Sequence, residues 1–95
     1  MNTDNIIIHS DGALTAVKPR DFKKFTLEEL QAFVGGFIQI VNLAANKLLV
    51  VNEEGKLHNL PVNEKATALA LSCNAIFPTD YIVGDAVVIE STMLD

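Results

Sequence analysis

Residues 51–66 read VNEEGKLHNLPVNEKA, the densest run of chemically capable side chains in this 95-residue sequence. Glu53 and Glu54 supply adjacent carboxylates and His58 a titratable ring. Lys56 adds an ammonium group, and Asn52, Asn59 and Asn63 add neutral donors and acceptors. A carboxylate near an imidazole is a minimal set for general acid–base catalysis. Such groups need burial or a close partner to tune them, and two glutamates at a loop tip have neither. The same residue types also suit a hairpin turn followed by a helix entry. Gly55 is expected to supply the positive φ of a tight turn, Pro61 to end a strand and Asn63 to cap a helix. Those demands leave a surplus of polar side chains. The surplus makes Asn52, Glu53, Glu54, Lys56, His58 and Asn63 the candidate site for a ligand or partner.

Other chemistry is sparse. A metal site would need both histidines, His9 and His58, with carboxylates such as Glu53, Glu54 or Asp80, yet no HxxxH or HExxH spacing occurs. Ser72 and Cys73 lack the strand–nucleophile–helix elbow and the base that nucleophilic catalysis requires. The lone Cys73 lies on an apolar stripe and reads as a buried structural thiol; with one cysteine, no intramolecular disulfide can form. Gly35-Gly36 follows a helix, whereas phosphate cradles precede one. No catalytic residue, metal ligand or cofactor is therefore assigned. KPRDFKKF, residues 18–25, concentrates Lys18, Arg20, Lys23 and Lys24 around Phe22. Set against a formal charge of −5, it reads as a solvated linker rather than a nucleic-acid surface.

The chain is 49% hydrophobic and 20% charged, the balance of one packed domain, here taken as residues 1–95. No apolar run approaches membrane-spanning length, and MNTDNIII lacks a basic region followed by a long apolar stretch. A soluble cytoplasmic protein, neither membrane-bound nor a nucleic-acid binder, is expected.

The elements that must position the candidate residues follow from pattern. Asn5–His9 and Ala13–Lys18 flank the turn Ser10-Asp11-Gly12 as a hairpin. Thr26 with Glu29 forms a capping box, Phe25 and Leu30 a hydrophobic staple, and Gly35 a left-handed stop, predicting a helix over Leu27–Val34. Phe37–Leu43 and Lys47–Asn52 read as paired strands. The first is apolar on both faces, as a central strand would be. Lys56–His58 begins a further strand. Ala66, Leu69, Ala70 and Cys73 give the inner face of a second helix that Asn74 stops. Tyr81–Glu90 is read as strand with a bulge or turn at Gly84-Asp85, and residues 91–95 as a frayed tail. The fold expected is α+β, a mainly antiparallel sheet of about five to six strands with two short helices packed on it.

In order along the chain, LEELQAFVGGFIQIV, LLVVNEEGKLHNLPVNEKAT and DYIVGDAVVI resemble the small proteins filed as domain of unknown function 3846. The resemblance spans roughly residues 26–90, and its combined motifs are L-x-x-L-Q-x-x-V-G-G, N-E-E-G-K-L, L-P-x-N and I-V-G-D. It implies a setting rather than a reaction. Members occur in phages, plasmids, conjugative elements and the bacteria carrying them, and the family brings no catalytic residue or cofactor.

Three uses of the chain are therefore expected. The first is a non-enzymatic accessory module acting on a host or element-encoded protein. The second is a pocket for a small polar or nucleotide-like ligand contacted by Glu53, Glu54, His58 and Asn63, without chemistry or with simple hydrolysis. The third is a structural homo-oligomer joined through an exposed edge strand.

Overall fold

A computed structural model describes residues 5–94. Five strands and two helices occur in the order β1 (Ile6–Ile8), β2 (Leu14–Ala16), α1 (Leu27–Val34), β3 (Ile38–Asn42), β4 (Lys47–Asn52), α2 (Glu64–Ser72) and β5 (Ala86–Glu90). The strands form one sheet in the order β2-β1-β5-β4-β3, with every neighbouring pair antiparallel. The α+β architecture is thus the one expected. The N-terminal hairpin joins the main sheet, because β1 pairs with β5 in the register Ile7↔Val87.

The helices lie on opposite faces. Leu30 and Val34 of α1 pack with Phe25, Ile7, Leu48, Val50, Val87 and Ile89. Ala66 and Ala70 of α2 pack with Ile8, Leu49, Val51, Ile82 and Ala86 on the other face. Strand side chains alternate between the faces, so a strand with both faces covered must be apolar throughout. That strand is β4, where Leu48, Leu49, Val50 and Val51 are all buried.

The start of α1 forms as its sequence dictates. Thr26 Oγ1 accepts from the Glu29 N–H at 3.2 Å, and Glu29 Oε1 accepts from the Thr26 N–H at 3.0 Å. Phe25 and Leu30, the two staple residues, are both fully buried. Gly35, at φ 81°, turns the chain out of the helix. Helix α2 ends with Asn74 at φ 55°, while the N–H groups of Asn74 and Ala75 return to the carbonyls of Leu71 and Ala70. Those two bonds satisfy carbonyls that the helix end would otherwise leave unpaired.

Five expectations are corrected. Strand β3 is an edge strand, not a central one: Ile38 and Ile40 pack toward α1 and Val41 toward α2, so two-sided apolarity arises without a second strand neighbour. Residues 56–58 form turns rather than a strand. Tyr81–Asp85 is not strand either; Val83 makes only an isolated antiparallel bridge to Val62, and β5 begins at Ala86. Residues 91–94 are packed rather than frayed. Ser91–Met93 form a single 3-10 turn, the Met93 carbonyl accepts the Phe25 N–H at 2.8 Å, and Leu94 bridges to Phe25. Asp95 lies outside the described residues. Finally, Cys73 is half-buried rather than buried, because it sits at the end of α2 beside an open apolar groove.

Candidate functional site

Beyond β4 the chain winds through consecutive turns. Gly55 N–H donates to the Asn52 carbonyl, His58 N–H to Glu54 and Leu60 N–H to Gly55. Gly55 itself does not take a positive φ, contrary to expectation; the left-handed residue of this loop is Asn59, at φ 55°. Gly55 is required instead for close approach, since a Cβ there would lie 2.7 Å from Val83 Cγ2.

These turns divide the six candidate residues by role. Asn52 and Asn63 are buried, and their amides are consumed by the fold. Asn52 Nδ2 donates to the Val34 carbonyl at 3.1 Å and Oδ1 accepts from the Glu54 N–H at 2.8 Å. Asn63 Nδ2 donates to the carbonyls of Ile8 (2.7 Å) and Gly84 (2.9 Å), while Oδ1 caps α2 through the Ala66 N–H at 3.0 Å. Asn63 commits both amide donors and one acceptor site to the fold, and Asn52 one donor and one acceptor site, so both side chains hold the loop in place. Glu54 and His58 lie one helical step apart, with 3.5 Å between Oε1 and Nε2, and face a hollow of about 280 Å³ shared with Gln31, Gly36 and Phe37.

Glu53 and Lys56 face the α2 side, where the sequence reading assigned no partners. Lys56 Nζ is bonded to Asp80 Oδ1 and stands 4.4 Å from the centroid of the Tyr81 ring. The Lys56 ammonium, followed by the Tyr81 N–H, holds the Asp80 carboxyl below its ordinary pKa. Together with Gln39 these side chains line a hollow of about 210 Å³. It adjoins a larger open trough of about 680 Å³, lined by Gln39–Asn42 on one wall and by Ile76, Phe77 and Pro78 on the other. Gln39, Val41, Ile76 and Asp80 belong to both, so one continuous trough follows β3.

The edge of β3 is the feature that sequence reasoning missed. Phe37 and Leu43 direct their ladder groups inward, accepting from the Glu53 N–H and donating to the Lys47 carbonyl. The antiparallel register then turns the N–H and C=O of Ile38, Ile40 and Asn42 outward. Among the described residues nothing pairs with them. Three large aromatics border this edge and remain exposed: Phe37 at 62%, Phe77 at 79% and Tyr81 at 44%. Phe77 lies in IFPTD, residues 76–80, and Tyr81 directly after it, and only the sheet order brings this stretch beside β3.

Among the described residues, the carboxylate–imidazole pair brought together from the candidate set is Glu54–His58, and both side chains are solvent-exposed. His58 pairs with Glu54, while His9 is elsewhere, bonded to Asp85 at 3.1 Å and Thr15 at 2.9 Å. Ser72 Oγ donates to the Leu69 carbonyl. Among the described residues, no three His, Cys, Asp or Glu side chains converge as metal ligands.

Neither comparison with curated proteins nor comparison with solved structures gives a match. One family model matches residues 3–93, taking in the β1–β2 hairpin that lies outside the 26–90 resemblance; its description is Domain of unknown function (DUF3846).

Proposed function

The chain belongs to the DUF3846 family, and from that premise we propose a non-enzymatic protein-binding module that receives an extended segment of its partner on the β3 edge. The observation carrying this reading is the row of unpaired backbone groups at Ile38, Ile40 and Asn42 beside a trough flanked by exposed aromatics. An open edge hydrogen-bonds an incoming strand through its main chain, while pockets on either side select alternate side chains. Aromatic residues are enriched at such interfaces because they bury large areas. The hollow at Glu53 and Lys56 is not a closed cavity but opens into the trough along β3, a shape that follows an extended chain rather than surrounding a compact ligand. That favours a macromolecular partner over a free nucleotide-like ligand. The mobile-element setting that the family resemblance implies points to a host or element-encoded protein of the bacterial cytoplasm as the partner.

The test is peptide selection against the immobilised protein, followed by titration of the selected peptide into isotope-labelled protein. Amides of Ile38, Ile40 and Asn42 should gain protection from exchange. Asn42→Pro, which removes one outward donor, should abolish binding while leaving the protein folded. A tight peptide that leaves all three amides unprotected overturns the reading. Sedimentation of the protein alone across a concentration series separates partner binding from self-pairing through the same edge.

A further inference from the structure

Resting on the edge-strand reading above, we infer that the segment received by β3 is cationic, with a lysine or arginine side chain directed to the Glu53 end of the trough and an apolar side chain two residues along. An added strand alternates its side chains between the two faces of the sheet. Those on the α2 side would stand beside Gln39 and Val41, which both line the trough. At one end the first of them meets Glu53 and Asp80; toward Asn42 the next meets Ile76 and Phe77.

The charge inventory decides the sign. Glu53, Lys56 and Asp80 line the α2 side, while Glu54 and His58 face the α1 side. Lys56, the lysine of this set, is engaged by Asp80 and lies over Tyr81. Glu53 is exposed and has no ion-pair partner among the described residues. The four cations Lys18, Arg20, Lys23 and Lys24 follow β2, the opposite edge of the sheet. With Lys56 paired to Asp80, the charge left open on this side is the Glu53 carboxylate, so an anionic segment meets like charge whereas a cationic one meets an open carboxylate and aromatic faces.

The experiment uses two dye-labelled peptides of roughly ten residues, alternating threonine and valine. One carries arginine at two positions on the same face, the other glutamate. Fluorescence anisotropy should show the arginine peptide binding at least about tenfold tighter. The preference should shrink in Glu53→Gln, shown to be folded by circular dichroism, and as salt rises from about 50 to about 500 mM. Equal binding of the two peptides, abolished by Asn42→Pro, would overturn the charge assignment and leave the edge reading standing. Binding of neither peptide, or binding indifferent to Asn42→Pro, would overturn the edge reading and this inference with it.

Discussion

Asn63 shows how a residue chosen for chemistry can serve the fold instead. Its amide joins β1, the loop before β5 and the first turn of α2 through three bonds made wholly in the interior. Asn63→Ala should lower unfolding free energy by about 3 kcal/mol or more in urea denaturation, combining loss of a cap with two stranded carbonyls. Asn63→Asp keeps the cap acceptor but aims a carboxylate at the Ile8 and Gly84 carbonyls, so it should be at least as damaging. Glu29 carries a pH dependence. The N–H groups of Thr26 and Arg20 hold its carboxyl below the ordinary value of 4.5. With the folded pKa depressed, its contribution is fully present above the unfolded value and is lost as pH falls through the folded one. Acid titration of stability should therefore be flatter in Glu29→Gln, most visibly below about pH 4.5. The cap itself was readable because its partners lie three residues apart. The bonds of Asn63 to Ile8 and Gly84 were not, because distance along the chain hides them.

Strand β3 permits a sharper contrast. Val41 pairs with Leu49 and its N–H points into the sheet, whereas the N–H of Asn42 points out. Val41→Pro should destabilise the protein by on the order of 3 kcal/mol, while Asn42→Pro should stay within about 1 kcal/mol of the parent. Thermal melts of the two variants decide this; equal loss would mean that the β3 register differs. Periodicity and composition identified β3 and β4 as strands because β-branched runs fit a pleated sheet. They misplaced β3 laterally. Hydrophobicity records whether the faces of a strand are covered, and β3 meets α1-side and α2-side residues without a second neighbour. Lateral position was decided by the distant β4–β5 pairing. The 53–60 loop was misread for a related reason: Gly55 answers to Val83, a contact invisible in local pattern.

At the scale of the molecule, β5 is the middle strand and the last to appear in the chain. It pairs with β1 on one side and β4 on the other, and both hydrophobic clusters include its side chains. Removing residues 5–17 would strip β1 and β2 together, along with Ile7 and Ile8 from the two clusters. Such a chain should lose the cooperative urea transition of the parent, measured by far-UV circular dichroism. The α+β class was readable from the sequence because interleaved strand and helix signals bound the architecture. The strand order was not, since Ile7↔Val87 joins opposite ends of the chain. That same pairing sets a timetable on the ribosome. While residues 86–90 remain in the exit tunnel, β1–β2 and β3–β4 are separate hairpins, and isolated hairpins are marginal in water. Closing the sheet must wait for the final strand, as expected of a fold dominated by distant contacts. Until then the open sides of β1 and β4 are exposed to chaperones and proteases, so a message truncated before β5 should yield a product cleared rather than accumulated.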